Sequence, residues 1–470
     1  MNSNKFLSYS ALLIALVISS CKIGKDYSRP SVAVPQNFEE QSFSDTSSIA
    51  DIKWSTFFKD RFLQSLIDSA LRYNNNLGIA VKRVEAAEQQ LKQSKLLLLP
   101  QLNAQITGSY NRFSDNSLTG LNASQFGINA IENYNASLNL SWEIIAWGKL
   151  RRQKEAIAAD YFQTYEATKA VQTRLVADVA QGYYNLLMLD QQLAIAKRNL
   201  QLNDSTLTLT TLLQQSGDVT SLAVEQAQAR RQSTALLIPQ LEQSIALQEN
   251  ALKLLTGRLP GSVERTTSGS VDGVATVVQV GLPAAVVSRR PDIRSSELAL
   301  KAANARVGAA QANMYPSLSI SSVGGVESFQ VDNWFKTPAS LFGIASGSVL
   351  QPIFRNRALR TQFEVAKIER EQAVLRFRES VLTAMTEVSN ALVQNNKLAL
   401  QAEIAGQQVQ TLKRSISNAN LLFKSDMANY LEVITAQTNA LQAELNLVAV
   451  QRQQNGALVE LYRALGGGWK

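Results

Sequence analysis

No proline interrupts the chain from Lys149 to Gly217, and none from Ile353 to Leu465, although the sequence holds ten. A helix of about 65 residues is about 100 Å long at 1.5 Å per residue. That is several times the diameter of a compact domain, so the chain is built for length. Each run has the same prelude. A helical stretch ends in Leu99-Pro100-Gln101-Leu102, an alternating segment follows, and then come the long run and a return helix. The order recurs from Tyr315-Pro316-Ser317-Leu318. One unit is written twice, over 54–260 and 284–466, with a linker at 261–283 and a short tail at 467–470.

The chain has no histidine and one cysteine. Zinc sites, imidazole acid–base chemistry and disulfides fall away. No paired Asp/Glu cluster replaces them, so no catalytic residue, metal ligand or cofactor is assigned and an enzyme is disfavoured. The net charge is +8, but Lys and Arg are interleaved with Glu and Asp. Without a basic cluster set among aromatic residues this reads as a solvated helix surface, not a nucleic-acid site.

At the N-terminus Lys5 precedes an apolar core, Ala11 to Ile18, that is too short to span a bilayer. It ends in Ile18-Ser19-Ser20-Cys21. Small residues before a lone cysteine resemble the bacterial lipoprotein processing box. On that reading residues 1–20 are removed, Cys21 carries lipid, and 21–53 form an extended segment. The alternative is an ordinary signal peptide followed by an incidental cysteine. Lys22 stands where some bacteria place an inner-membrane retention Asp, which agrees with an outer-membrane destination.

Tyr134, Ala136, Leu138, Leu140 and Trp142 lie on one face of a predicted strand, and Asn133, Asn135, Ser137, Asn139 and Ser141 on the other. Leu102, Ala104, Ile106 and Tyr110 alternate likewise with Asn103, Gln105, Thr107 and Ser109. Strict period-two alternation ending in aromatic residues predicts lipid-facing barrel strands; one face of a soluble sheet is the competing reading. Polar residues from Asn111 to Glu132 read as a long loop. Ser317 to Val323 alternates weakly, and Phe342 to Leu350 poorly. Four strands cannot close a barrel, and open edges do not survive in lipid. Transmembrane strands would therefore require several chains, and three would bring about twelve strands.

No later window is apolar enough to cross a membrane. The helices carry stripes spaced three and four residues apart: Val179, Gly182, Leu186, Leu189, Leu193, Ala196 and Leu200 in the first run; Val374, Phe377, Val381, Ala384, Val388 and Ala391 in the third; and Leu431, Ile434, Thr438, Leu441, Leu445 and Val448 in the fourth. This is coiled-coil spacing. The turns between paired helices are marked by Gly217-Asp218 and by Ser425-Asp426; Gly217 suits a left-handed helix end, and Asp426 stands in the matching place. In Arg289-Arg290-Pro291-Asp292, Pro291 suits a first helical turn and the charges predict local pairing.

With these features the chain resembles a TolC-type outer-membrane efflux channel of the lipoprotein (OprM/NodT-like) subgroup. The resemblance is carried by Gly281-Leu282-Pro283, Arg289 to Arg294, Ala302 to Gly308, Tyr315-Pro316-Ser317, Gln351 to Phe354, Tyr430 to Gln437 and Leu461 to Trp469. Ser141-Trp142-Glu143, Trp147-Gly148 and Val179 to Tyr184 add to it. It implies a mostly α fold with a membrane β-barrel part. A homotrimer would share a barrel of about twelve strands and a long periplasmic α-helical tunnel. A periplasmic adaptor and an inner-membrane pump would dock at the turns, with no nucleic acid involved. It also implies an acidic entrance gate: Glu432 matches the family's first gate acid, Thr435 departs from the second, and Asp426 adds charge nearby. The competing function is a non-conducting periplasmic coiled-coil adaptor or scaffold lipoprotein.

Overall fold

The computed structural model describes residues 23–32, 48–128, 130–144, 147–266, 283–425 and 427–470. Its principal elements, in chain order, are α1 (Arg61–Tyr73), α2 (Asn75–Leu96), β1 (Gln101–Arg112), β2 (Ala130–Glu143), α3 (Lys149–Ser216) and α4 (Ser221–Leu255), followed by α5 (Pro283–Arg289), α6 (Pro291–Ala312), β3 (Ser317–Ser328), β4 (Leu341–Leu350), α7 (Ala358–Lys424) and α8 (Tyr430–Ala464). The fold is mostly helical with one small sheet. α3 has 68 residues and α7 has 67. No described helix is long and apolar enough to cross a membrane.

The chain divides into two compact units. One comprises residues 1–30, 85–162 and 297–375 and holds the sheet. Its four strands are antiparallel in the order β1-β2-β3-β4. Leu102 lies opposite Leu140, Ala104 opposite Leu138, Trp142 opposite Ile320 and Leu318 opposite Val349. These residues line one apolar face, and it is bare: Leu102 is 64% exposed, Ile106 75% and Val349 70%. The opposite face is polar along β1 and β2 and mixed along β3 and β4, where Val323 lies opposite Ile344. Asn139 donates to Gln105 at 3.4 Å, and Ser319–Ser348 and Ser321–Ser346 hydroxyl pairs lie at 2.8 and 2.7 Å. Those hydroxyl ladders explain β4, whose glycine- and serine-rich sequence hides its strand character. The segment read as a loop from Asn111 to Glu132 is shorter than expected, because both strands run into it and a short helix, Leu118–Gln125, fills part of it.

The second unit comprises residues 31–84, 163–296 and 376–470. Its core gathers Phe57, Phe58, Leu63, Ile67, Val179, Tyr183, Val388, Val459, Tyr462 and Leu465. Phe57 stacks on Tyr462 with centroids 4.2 Å apart, and the Tyr462 hydroxyl donates to the Ile52 carbonyl at 2.7 Å. Val179, Leu186, Leu189 and Ala196 of the α3 stripe are buried, as are Phe377, Val381, Ala384, Val388 and Ala391 of α7. The α8 stripe is buried at Leu441 and Val448 and corrected elsewhere. Leu431 is 52% exposed, and the buried positions are Val433, Ala436, Gln437, Ala440, Leu441, Ala443, Glu444 and Val448. A two-partner seam predicts one narrow stripe. α8 instead buries a broad face on which alanines permit close approach.

Candidate functional site

Three features carry the chemistry: the hairpin turns, a post-cysteine strap and a buried ion network. At the first turn α3 ends with Gly217 at φ +86. The Asp218 N–H donates to the Leu213 carbonyl at 2.9 Å and the Gly217 N–H to Gln214 at 3.1 Å, the two closures of a glycine-ended helix. The Ser216 hydroxyl donates to the Asp218 carboxylate at 2.7 Å. At the second turn the Met427 N–H reaches the Leu422 carbonyl at 2.9 Å, and the Ser425 hydroxyl donates to Leu421 at 2.9 Å. Asp426 lies outside the described residues. The Asn429 side chain caps α8, accepting from Leu431 and Glu432 at 2.9 and 3.2 Å. Glu432 therefore sits in the first turn, where the helix dipole favours a carboxylate. It is exposed and forms no ion pair among the described residues.

The second unit also joins its two hairpins close to the turns, which the sequence did not announce. The Tyr430 hydroxyl donates to Gln226 at 2.6 Å, and the Gln437 amide donates to the Thr206 hydroxyl at 3.1 Å. Farther along, Glu444 of α8 takes Arg198 of α3 at 2.6 Å and Lys413 of α7 at 3.3 Å. Among the described residues no group of His, Cys, Asp and Glu side chains is placed to hold a metal ion.

Cys21 lies outside the described residues, but the strap that follows it is seated in the sheet-bearing unit. Arg152, 4% exposed, donates to the Gly24 carbonyl at 2.9 Å and to Asp26 at 3.0 Å, and its other edge meets Glu155 at 2.8 Å. Asn304 donates to the Lys25 carbonyl at 3.0 Å, and Glu297 takes both the Tyr27 hydroxyl and Arg29 at 3.2 Å. Three peptide units separate Gly24 from Cys21, a backbone reach of at most about 11 Å. Arg152→Ala is expected to free the strap and speed tryptic cleavage after Lys25 by about ten-fold. Mass spectrometry of the released peptides checks this, and an unchanged rate would show that Arg152 does not hold the strap.

The Arg290 motif reaches beyond local pairing. Arg290 pairs with Asp292 at 2.6 Å, as the sequence predicts, but also with Glu387 of α7 at 2.7 Å, and it donates to the Ala464 carbonyl at 2.9 Å. Arg463 shares Glu387 at 3.0 Å and holds Glu460 at 2.5 Å. Burial alone would lower the Arg290 pKa; Asp292 and Glu387 outweigh it and leave it raised. Burial alone would raise Asp292; the Arg290 hydrogen bond and charge outweigh it and leave it lowered.

Comparison with known proteins adds a consistent set of relatives. The family model for outer membrane efflux proteins matches residues 66–258 and 282–467. The cation efflux system protein CusC of Escherichia coli (strain K12) is 29% identical over 459 residues, spanning 97% of this chain and 98% of its own length. The solvent efflux pump outer membrane protein SrpC of Pseudomonas putida is 30% identical over 472 residues, with 97% of each chain covered. Among solved structures, the open state of the Neisseria gonorrhoeae MtrE outer membrane channel superposes with a TM-score of 0.85 at 27% identity, covering 96% of this chain and 99% of that one.

Proposed function

Because the chain belongs to the outer membrane efflux protein family, we propose that it is the outer-membrane channel of a tripartite efflux system, built as a homotrimer. The observation that carries this reading is the sheet. One chain presents four antiparallel strands with a bare apolar face, a polar face and unpaired outer edges. Such a sheet is satisfied in lipid only when it is closed by further strands. Three copies would supply about twelve strands, with the serine and asparagine face turned to a wet lumen. The long helices would form the periplasmic duct, with its turns toward a periplasmic adaptor and an inner-membrane pump. Lipid on Cys21, seated by the strap, would add a second membrane anchor. CusC is named for cations and SrpC for solvents. With a scaffold shared by relatives named for such unlike cargo, selection would lie in the pump, not in the duct.

Extraction in mild detergent is expected to give a protein mass of about 150 kDa for three chains of 51.5 kDa, with a hollow shaft visible by electron microscopy. A monomer without a ring would sink the channel reading and favour a non-conducting adaptor. In planar bilayers the channel is expected to prefer cations and to be slowed by calcium, through three copies of Glu432 at the entrance. Glu432→Gln should bring the cation preference toward unity and relieve the calcium effect. An unchanged preference would remove Glu432 from the gate.

A further inference from the structure

The enclosed arginines of the helical unit hold carboxylates: Arg265 takes Asp190, Arg290 takes Asp292 and Arg463 takes Glu460. Arg452 of α8 does not. Its Nε atom is buried and bonded to nothing, and its side chain forms no ion pair among the described residues. A guanidinium cannot shed its charge. A buried polar atom without a protein partner points to strain or to an acceptor from outside the chain. Arg230 buries an Nε atom in the same way, but Arg452 lines a groove of about 490 Å³ formed by α3, α7 and α8. Every residue lining it belongs to the helical unit, so the groove is complete in a single copy.

Lys397 of α7 lines the same groove, is exposed and also forms no ion pair among the described residues. The one carboxylate lining the groove, Glu460, is held by Arg463 at 2.5 Å. Two positive charges therefore stand open. Around them are Gln181 of α3, Gln394 and Gln401 of α7 and Gln453 of α8. Each amide both donates and accepts, which suits hydroxyl groups. No aromatic side chain is among the lining residues, so the groove offers no platform for a flat ring. Gly456 keeps it open. A Cβ there would meet nothing nearer than Arg452 Nη1 at 4.0 Å, so packing does not demand glycine at this position inside α8, where glycine is unfavourable. We infer that the groove binds a small hydroxyl-bearing phosphate, of the class of a sugar or glycerol phosphate. A phosphate monoester carries a charge of about −1.5 to −2 at neutral pH, which matches Arg452 and Lys397 together, and the guanidinium fork takes phosphate oxygens. The groove's volume lies within the range of small-molecule sites, about 300–1,000 Å³.

Calorimetric titration of the full chain in mild detergent tests this, with glucose 6-phosphate, glycerol 3-phosphate, glucose and inorganic phosphate as probes. The two phosphate esters are expected to bind, inorganic phosphate to bind more weakly, and glucose not to bind. Arg452→Gln and Lys397→Gln should each weaken the esters by about ten-fold or more, the usual effect of losing a hydrogen bond to a charged group. Arg378→Gln, at an exposed arginine elsewhere on α7, should leave the affinity unchanged. Gly456→Leu fills the groove without altering a charge and should abolish binding. Because Arg452 has no protein partner to lose, Arg452→Gln should lower neither the Tm nor the assembled mass of the free protein. Failure of both esters to bind overturns the site. Inorganic phosphate binding as tightly as the esters overturns the hydroxyl-bearing part of the ligand. A lower Tm or a smaller assembled mass in Arg452→Gln would make the acceptor a carboxylate of another copy, and would overturn the inference as well.

Discussion

Arg290→Ala is expected to remove about 3–5 kcal/mol from the stability of the helical unit, the usual cost of orphaning a buried ion-pair partner. The Arg290 side chain is 4% exposed and binds three groups: Asp292, Glu387 and the Ala464 carbonyl. Its loss leaves the C-terminal carbonyl of α8 without this donor and Glu387 with Arg463 alone. Glu387 is poorly placed to compensate, because its Oε2 atom makes no well-directed hydrogen bond and is held by charge. Arg290→Lys keeps the charge without the planar fork and should fall between wild type and Arg290→Ala. Thermal unfolding followed by circular dichroism measures the difference, and a fall in Tm no larger than that of an exposed arginine control would refute it. The acid limb follows from Asp292. A carboxyl whose folded pKa is lowered adds stability that is complete above its unfolded value, about 3.9, and is lost as pH falls through the folded value. Stability should therefore drop below about pH 4, and Asp292→Asn should lack that part of the slope.

The second large effect lies in the sheet. Gly325 is opposite Ser137 in the pairing that joins the two halves. A Cβ there would fall 2.2 Å from the Ala136 carbonyl oxygen and 2.7 Å from the Ser137 Cα. Both are backbone atoms of the paired strand, so no side-chain adjustment relieves the clash. Gly325→Val is expected to cost more than the ~1–3 kcal/mol usual for overpacking and to abolish recovery of assembled protein from outer membranes. Gly343, also in a strand, has nothing within 4 Å of such a Cβ, and Gly343→Val should assemble normally. Equal yields of the two variants would mean that the β2–β3 pairing does not govern assembly.

The parts of this fold legible in the sequence are those set by local rules. Absence of proline and one glycine, Gly217, delimit α3 at Ser216. Strict alternation from Asn133 to Trp142 marks β2. β4 was faint because Gly343, Ser346, Gly347 and Ser348 offer hydroxyl ladders and close approach instead of bulk. The α8 stripe holds at Leu441, Leu445 and Val448 but fails at Leu431, and it is too narrow, because spacing reports how often a helix is buried, not how wide its buried face is; Val433 and Ala436 lie beside the predicted positions. The Glu387 partner of Arg290 and the Gln226 partner of Tyr430 were invisible, since long-range polar pairing leaves no periodic trace. Glu432 could be named, but a gating role would depend on copies that one chain does not supply.

The stripe along α3 also turns helix length into a fixed standard. At 3.6 residues per turn, deleting one residue rotates everything beyond it by roughly 100°. Val179, Leu186 and Leu189 would keep their partners while a distal residue such as Asn203, bonded to Thr234 at 2.7 Å, would swing away from its own. A single-residue indel is thus a phase error carried to the turn. Length can change with little of that error when whole heptads are inserted in both members of a hairpin at once. One such step lengthens the hairpin by about 10 Å, the rise of seven residues.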